Sequence, residues 1–555
     1  MRKSKYFVPL LLFIIVIVAC VLRFWQLGNV PLSLDWDEVS WGYNAYSILE
    51  TGKDEYGKKL PIVIQSLNDY KPALYMYLVV PLIYVFGLTN AVVRFPNALF
   101  GVFSVFITYF LVKELFERRD IAILSSFLLA VSPWAIQFSR FAHEATTGLV
   151  FNLLMVLFFL KALKKPKFLV LSAFFTGVSI YTYQNEKLFV PLLGIVLLIS
   201  FFKQFLKIPK KYIISSFLLG FAIVLPMFFY IITTPESLTR AKGTSFLNNP
   251  GGVLNQRFYP QRGLDDLKRG DLLGRVVDNR RVLYAKAIAG NYLSHFDPNF
   301  LFVTGEKIGR HVPPGMGHLY LIEFPFFLIG LYFLIFGKFK KSVKKFILLW
   351  IIITPIAASI TWDVPNSGRT LNFLPSFQIV VAIGIVSFYL WLKNLKINNV
   401  FKYFIGGLIC IVAIFNFIYY LNQYFVQYNY FNSEDWQYGY DQIIPTVQKL
   451  YPDYERIIVS NNRPMDESYI FFLYNLRYPP SEYQKNPNRN FDKFDFIDTK
   501  NFDWPNAFKN ELIIIPATQV SSELSGNVIK TVQFLNGEDA ISVVKGTKNK
   551  DKESE

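Results

Sequence analysis

Charge and cysteine are both scarce in this sequence. Only 17% of the 555 residues are charged and 53% are hydrophobic, whereas about 25% of the residues in an average soluble domain are charged. The two cysteines, Cys20 and Cys410, lie inside apolar runs, which excludes a disulfide framework and a cysteine metal cluster. The chain also lacks a GxGxxG or P-loop motif for a nucleotide, and the internal repeat of many secondary transporters. This composition indicates a membrane protein with sizeable aqueous parts.

Eleven apolar runs approach the roughly 20 residues that a helix needs to cross about 30 Å of hydrocarbon. They lie at about 6–25, 92–112, 120–138, 146–163, 167–183, 188–206, 212–233, 318–337, 346–361, 370–392 and 402–422. The sequence therefore predicts a mainly α, polytopic helical bundle of about eleven spans. The first run also resembles a signal peptide ending at Cys20, but it stays apolar through Trp25, which favours an uncleaved span.

One further run, Pro72 to Leu88, is ambiguous, because it contains three tyrosines and an internal Pro81. Charge asymmetry favours a helix lying in the membrane interface. With Met1 cytoplasmic and this run not crossing, the inner segments contain 22 basic residues and three acids, as the positive-inside rule requires. The positive charge therefore indicates a membrane orientation and argues against nucleic-acid binding, which needs a basic soluble surface.

This topology leaves three large extracytoplasmic parts, residues 28–91, residues 234–317 and the chain after about 423. The transmembrane domain is predicted over 1–422. Residues 423–545 resemble a small extracytoplasmic α/β domain, with β-like runs at Arg456–Ser460 and Glu511–Pro516 and a hairpin over Val528–Lys545. The polar tail, 546–555, is predicted to be disordered.

The first outer part presents acids close to the membrane. Asp35, Asp37 and Glu38 follow the first span by about ten residues, at the start of a predicted helix. One interpretation is structural, because Asp37 is a good N-cap for a helix that starts near Glu38. The other is catalytic, because a carboxylate can deprotonate an incoming hydroxyl group.

Further charged residues recur at the predicted outer ends of the spans. An ordinary interpretation is that they are polar helix ends with snorkelling cations. Taken together, however, they place acids, bases and a histidine on one face of the bundle. These residues are Asp69, Lys71, Arg94, Arg140, His143, Glu144 and Arg369.

In order and spacing, these elements resemble the integral-membrane glycosyltransferases of the GT-C fold, especially bacterial relatives of protein O-mannosyltransferases and of the lipid A aminoarabinose transferase. The resemblance covers roughly residues 6–422. The matching elements are Asp37-Glu38 after the first span, the helix ending Leu49-Glu50-Thr51-Gly52, Lys71-Pro72-Ala73-Leu74-Tyr75, Arg94-Phe95-Pro96, Ser132-Pro133 before Ser139-Arg140, and Arg369 before Pro375. Ala73 departs from the family, which often has a second proline there.

The resemblance implies transfer of a hexosyl or pentosyl group from a polyprenyl-phosphate donor to a glycan, lipid or protein acceptor outside the plasma membrane. In that reaction Asp37 is the expected base and Glu38 its support. Lys71, Arg94 and Arg369 are the expected phosphate contacts, followed by Arg140, His143 and Glu144. The resemblance leaves a divalent metal open, and no nucleotide is expected. The aminoarabinose transferases have an acid directly before this lysine, whereas Asp69 lies two residues before Lys71, so a metal-ligand role for Asp69 is left open.

Trp36, Trp41 and Tyr43 are compatible with stacking on a sugar and equally with anchoring at the interface. A multi-span transporter or lipid flippase is the alternative function. It predicts ionisable residues in mid-membrane, whereas the centres of these runs are almost purely apolar. A sensor is a third alternative, and it predicts a cytoplasmic output domain that the sequence lacks.

Overall fold

A computed structural model of the chain describes residues 6–67, 69–238, 243–245, 258–500, 511–522 and 524–546. These residues are mostly helical. The helices are α1 Phe7–Phe24, α2 Trp36–Thr51, α3 Leu74–Phe86, α4 Asn90–Phe116, α5 Arg119–Val131, α6 Pro133–Arg140, α7 Ala145–Ala162, α8 Phe168–Ser179, α9 Glu186–Phe205, α10 Lys210–Thr233, α11 Phe258–Arg269, α12 Leu272–Val277, α13 Arg280–Ser294, α14 Glu323–Phe336, α15 Lys341–Ile353, α16 Ile356–Ser359, α17 Ser376–Asn394, α18 Asn399–Asn422, α19 Tyr428–Phe431, α20 Tyr440–Leu450, α21 Ser468–Leu476 and α22 Pro480–Tyr483.

The predicted helical bundle is confirmed, and every one of the eleven apolar runs forms a helix. Within the described residues, eight helical segments are long and apolar enough to cross a membrane, and the bent pair α5 and α6 makes a ninth. Helices α8 and α14 cover the other two runs but have only 12 and 14 residues. At 1.5 Å per residue they are too short to cross about 30 Å of hydrocarbon alone.

The third predicted span is broken near its outer end. Helix α5 ends at Val131 and α6 starts at Pro133, with a bend of 53° between them. Proline has no N–H to donate and favours the first position of a helix, and the Ser132 hydroxyl accepts a hydrogen bond from the Ala135 N–H. Helix α6 is completely buried, so the break directs the Arg140 end of this span into the bundle.

Residues 28–91 contain α2, a two-stranded antiparallel sheet and α3. Strand β1 is Val63–Ser66 and strand β2 is Asp69–Pro72, and they pair so that Ile64 lies opposite Lys71. Helix α2 is followed by Gly52, whose φ of 70° is a left-handed conformation that glycine adopts without strain. Helix α3 has only 13 residues, about 20 Å, which is consistent with the prediction that this run does not cross the membrane.

The C-terminal part contains a five-stranded mixed sheet, with strands β3 Arg456–Ser460, β4 Phe494–Ile497, β5 Glu511–Pro516, β6 Val528–Gln533 and β7 Asp539–Lys545 in the order β4-β3-β5-β7-β6. Strand β3 is parallel to β4 and β5, and β7 is antiparallel to β5 and β6. All the predicted strands are present, and β4 was missed. Beyond the predicted domain boundary at 422, a π-helical turn over Gln423–Gln427 connects α18 directly to α19. Residues 547–555 of the predicted disordered tail lie outside the described residues.

The α/β part shares a hydrophobic core with the first outer segment. Apolar residues of α2 and α3, such as Val39 and Met76, belong to the same buried cluster as Ile443 of α20 and Phe471 of α21. At Gly42 in α2 an added Cβ would lie 2.6 Å from the Tyr474 ring. The C-terminal part therefore lies directly against the helix that presents Asp37.

Candidate functional site

Helix α2 begins with a capping box that leaves Asp37 out. The Asp35 carboxylate accepts a hydrogen bond of 2.8 Å from the Glu38 N–H, and the Glu38 carboxylate accepts one of 3.3 Å from the Asp35 N–H. The interpretation of Asp37 as the N-cap is therefore wrong, because Asp35 occupies that position. The Asp37 side chain is 41% exposed and pairs with the ammonium group of Lys71, which is 3% exposed.

Glu38 and Arg94 form a completely buried ion pair. The Arg94 Nε and Nη2 groups donate to the two Glu38 oxygens at 2.8 and 2.7 Å, and the Ala142 N–H donates to the same carboxylate at 2.6 Å. Burial raises the pKa of Glu38, while Arg94 and the Ala142 N–H oppose that rise. Glu38 thus joins α2 to the start of α4 and to residues 141–144. It holds the helix that presents Asp37 in place and does not itself contact the Asp37 cavity.

Arg94 and Arg140 are both completely buried and donate to oxygens of the protein itself. Arg94 donates its remaining hydrogen bonds to the carbonyls of Leu27, Pro31 and Ser33. Arg140 is equally buried, and it donates to the carbonyls of Leu22, Trp25 and Val30. The last carbonyls of a helix have no partner within it, and Arg140 satisfies those at the end of α1. These contacts favour structural roles for both arginines, and their contact with substrate stays a prediction.

Four of the predicted residues meet at one cavity of about 140 Å³ near α2. Asp37 comes from α2, His143 and Glu144 from the turn before α7, and Arg369 from the segment before α17. The full lining is Asp35, Asp37, Phe141, Ala142, His143, Glu144, Tyr183, Ile308, Arg310, His311, Asp363, Asn366 and Arg369. The cavity thus combines carboxylates, histidines and two arginines.

The two arginines of this cavity are held by neighbouring groups. Arg369 donates from Nη1 to the Thr361 hydroxyl and to the Asp363 carbonyl, both at 2.8 Å, and its Nη2 lies 3.9 Å from the Asp363 carboxylate. Arg310 pairs with Asp35, and its guanidinium carbon lies 4.5 Å from the centre of the Trp36 ring. Both guanidinium groups are therefore held in fixed orientations at the cavity wall.

The second outer segment and the residue that follows it contribute residues that the sequence interpretation missed, namely Glu306, Arg310, His311 and His318. The Glu306 carboxylate accepts hydrogen bonds from the Ser367 N–H and hydroxyl, and lies 3.0 Å from the His311 Nδ1. Burial opposes ionisation of Glu306, but His311, His318 and Ser367 together hold its pKa below the ordinary value. Burial also lowers the pKa of His318 to about 4.

A signal for this cluster was present in the composition. The chain has only four histidines, and two of them, His311 and His318, lie in the segment from Gly305 to His318. In the structure the His143 ring centre lies 6.1 Å from that of His311. The fourth, His295, accepts a hydrogen bond from the Asn366 N–H at 3.2 Å. All four are thus in or beside the wall of one cavity.

A second and wider cavity, of about 720 Å³, also includes Asp37 in its wall. Its other lining residues come from β2, from Gly243 and Thr244, and from the loop after β3 of the α/β part. They are Trp36, Leu67, Asp69, Lys71, Gly243, Thr244, Arg463, Asp466 and Glu467. The Trp36 N–H donates to the Gln437 side chain, which in turn donates to the Asp466 carbonyl. The C-terminal part therefore forms one wall of this cavity.

The sequence also predicted aromatic rings that could stack on a sugar, and it left a metal site open. Trp41 and Tyr43 are completely buried, so neither ring is open to a sugar, whereas Trp36 borders the wider cavity. No group of three His, Cys, Asp or Glu side chains in the described part of the chain is arranged to hold a metal ion. Asp69 borders the wider cavity together with Lys71, and it does not belong to any such group of three metal-ligand side chains among the described residues.

Comparisons with known proteins agree with this architecture. A family model described as dolichyl-phosphate-mannose-protein mannosyltransferase matches residues 70–230. ArnT from Cupriavidus metallidurans bound to undecaprenyl phosphate is similar in structure, with a TM-score of 0.56 and 13% identity over 98% of this chain and 100% of that one. The protein has the GT-C fold.

Another GT-C structure extends beyond this chain. The archaeal oligosaccharyltransferase AglB from Archaeoglobus fulgidus, in complex with an inhibitory peptide and a dolichol-phosphate, gives a TM-score of 0.51 at 13% identity. The match covers 85% of this chain but only 64% of the length of AglB. No curated protein sequence matches the chain. At these identities the comparisons establish the fold, and the reaction must be argued from the site.

Proposed function

We propose that this GT-C protein is a membrane glycosyltransferase that moves a sugar from a polyprenyl-phosphate donor to an acceptor. The observation that carries the proposal is the position of Asp37. Its carboxylate is 41% exposed, it is not needed to cap α2, and it belongs to the walls of two cavities. A group at that position can contact a donor in one cavity and an acceptor in the other.

The chemistry requires a base at such a junction. An acceptor hydroxyl or amine attacks the anomeric carbon and forms the new glycosidic bond, while the bond from that carbon to the phosphate oxygen breaks. The phosphate leaves with the bonding electrons, and the acceptor loses its proton to the Asp37 carboxylate. A positioned general base contributes about 10² to 10⁴-fold in rate.

Charge develops on the departing phosphate, and the smaller cavity provides cations for it. Arg310 and Arg369 both border that cavity and are held by Asp35, Thr361 and the Asp363 carbonyl. Arginine binds phosphate through a planar fork of N–H groups, and oriented donors stabilise developing charge strongly. His143 and Glu144 lie in the same wall, where they can contact the sugar or the leaving group.

The wider cavity is the better place for the acceptor. It contains the loop after β3 and both Asp69 and Lys71, so the α/β part takes part in acceptor binding. The ion pair between Lys71 and Asp37 fixes the carboxylate beside this cavity. The class of acceptor remains glycan, lipid or protein, and we expect a hexosyl or pentosyl donor.

The lipid carrier and the orientation are parts of the same proposal. The similar ArnT structure contains undecaprenyl phosphate and the AglB structure contains a dolichol-phosphate, which supports a polyprenyl-phosphate donor here. The 22 basic residues of the predicted inner segments support a cytoplasmic N-terminus. The site then lies on the extracytoplasmic face of the plasma membrane. We assign no step to a metal. The sequence analysis leaves a divalent metal open, and activity in the presence of EDTA tests whether the reaction needs one.

The test is transfer by purified protein in detergent. The protein is incubated with a panel of polyprenyl-phosphate hexoses and pentoses together with glycan, lipid and peptide acceptors. We expect one donor to release free polyprenyl phosphate, with nucleotide sugars inactive. Release from none of the donors, with protein that remains folded, would contradict the proposal.

A further inference from the structure

Helices α9 and α10 follow each other in the chain but do not pack along each other. Only the four residues Leu206–Pro209 join them, and consecutive helices with such a short connection are usually neighbours in space. Helix α10 instead packs along α8, and α9 packs against α15 and α7. The separation leaves a groove of about 390 Å³, with residues of α7 and α8 also in its wall.

The groove is lined almost entirely by apolar side chains. One of its glycines, Gly177, explains the close contact of α8 with α10, because a Cβ there would lie 2.7 Å from the Ile223 side chain. Gly194 of α9 differs, since the nearest atom to a Cβ there is the Met155 methyl group at 3.7 Å. Among the other residues of the wall are Phe159, Phe205 and Phe217. The surroundings of Gly194 are thus open to an apolar chain from the membrane.

Eight lysines lie on the two connections at one end of this groove. They are Lys161, Lys164, Lys165, Lys167, Lys203, Lys207, Lys210 and Lys211. Seven of them are exposed, and neither 161–167 nor 203–211 contains an acid. Lys164 pairs with Glu114 of α4, so among the described residues the other lysines carry the unpaired charge of this end. The wall residues Leu169, Phe205 and Ile213 are each only two residues from one of these lysines.

We propose that the groove binds an acyl chain of an anionic phospholipid, whose phosphate is bound by the lysines of 161–167 and 203–211. Basic pockets between transmembrane helices recognise anionic headgroups in this way. The donor lipid is a different molecule, because the proposed function assigns its phosphate to the smaller cavity, whose wall includes Tyr183 and Arg369. Helix α9 begins three residues after Tyr183 and has 20 residues, so the lysine end is about 30 Å away.

The experiment measures binding of palmitoyl-oleoyl phosphatidylglycerol to the purified full chain in detergent, by native mass spectrometry and by the shift in thermal midpoint. Gly194→Leu fills the groove, and the triple variant Lys207→Gln/Lys210→Gln/Lys211→Gln reduces the charge at its end. Gly407→Leu is the matched control for the first, since a Cβ at Gly407 meets nothing within 4 Å on α18. Lys393→Gln/Lys396→Gln/Lys402→Gln is the control for the second.

We expect one tightly bound phosphatidylglycerol in the wild type and in both controls, and much weaker binding of phosphatidylcholine. Affinity should fall at least about tenfold in Gly194→Leu and roughly 10²-fold in the triple lysine variant. Should Gly194→Leu not fold, the triple lysine variant decides alone. Equal affinity in groove and control variants, or equal binding of phosphatidylcholine, would overturn the proposal. Displacement of the phospholipid by equimolar polyprenyl phosphate would also overturn it, by assigning the groove to the donor.

Discussion

The two outer segments that meet at the site, residues 28–91 and 234–317, are fixed to the bundle by different chemistry. In the first, the Glu38–Arg94 pair is completely buried and anchors the helix that presents Asp37. In the second, the Glu306 carboxylate lies 3.0 Å from the His311 ring and 3.7 Å from that of His318, the residue that directly follows the segment. The first support contains an arginine, which stays charged at any ordinary pH. The second contains His318, whose burial lowers its pKa to about 4 and thereby makes the stability of that wall depend on pH below about 6.5. The following predictions test that difference.

The largest effect is expected at the support of the first segment. Arg94→Ala would leave Glu38 buried without its cation, and breaking a buried pair in this way costs about 3–5 kcal/mol. We expect little folded protein, measured as yield and as the thermal midpoint in detergent. Arg118→Ala is the control, because its pair with Asp120 is 39% and 50% exposed. Folded Arg94→Ala protein that loses only activity would return Arg94 to the substrate site.

Arg369 tests the phosphate contact at the opposite wall. Arg369→Ala removes a cation from the smaller cavity, and we expect turnover to fall about 10²-fold, with the thermal midpoint little changed. Arg369→Lys retains a point charge without the planar fork, and should keep more activity than alanine. Equal, near-native turnover in both variants would exclude Arg369 from the site.

The histidines predict how stability depends on pH. Burial lowers the pKa of His295 and of His318 to about 4, below the value of about 6.5 in an unfolded chain. The unfolded state therefore takes up more protons between those values, and the free energy of unfolding should fall as pH drops from about 6.5 towards 4. Each histidine contributes up to about 1.4 kcal/mol per pH unit.

Thermal midpoints of the wild type and of His318→Gln, measured across this pH range, test that prediction. The variant should show a shallower dependence on pH, because only one buried histidine still titrates. Identical pH dependence in the two proteins would show that His318 does not make the second segment sensitive to pH.

The smallest effect is expected at Asp35. Asn is as good an N-cap as Asp, so Asp35→Asn should keep the cap, weaken the pair with Arg310 and cost about 1 kcal/mol in the free energy of unfolding. Asp35→Ala, which also removes the cap, should cost about 1 kcal/mol more. Turnover by Asp35→Asn as low as that of Asp37→Asn would end the distinction between cap and base.

Much of the architecture was predictable because the membrane restricts it. Apolar length predicted all eleven helical runs, since a lipid-exposed span must satisfy its backbone internally. The asymmetry of basic residues predicted the orientation and the run that does not cross. The break at Pro133 and the short helix α8 were not predicted, because hydropathy measures the apolar run and not the helix within it. Strand β4 was missed because its four residues, FDFI, are too short to stand out.

The site was predictable only in part, for a related reason. Asp37, His143, Glu144 and Arg369 were found because each follows or precedes a span. Arg94 and Arg140 also lie at predicted span ends, but Arg94 donates its hydrogen bonds to Glu38 and to backbone carbonyls, and Arg140 donates to backbone carbonyls. No sequence pattern separates an arginine that satisfies carbonyls from one that faces a cavity. Glu306 and His311 were missed because the segment that contains them shows no periodicity.

The account depends most on Asp37 as the proton acceptor, and Asp37→Asn tests this directly. Asparagine keeps the size of the side chain and an oxygen that accepts from Lys71, but it cannot act as the base. Donor binding and turnover are measured together, with Glu50→Gln as the control because it removes an exposed carboxylate near the other end of α2. We predict donor affinity within a few-fold of wild type and turnover reduced by at least about 10²-fold, with Glu50→Gln unchanged. Full turnover by folded Asp37→Asn protein would contradict the proposed mechanism.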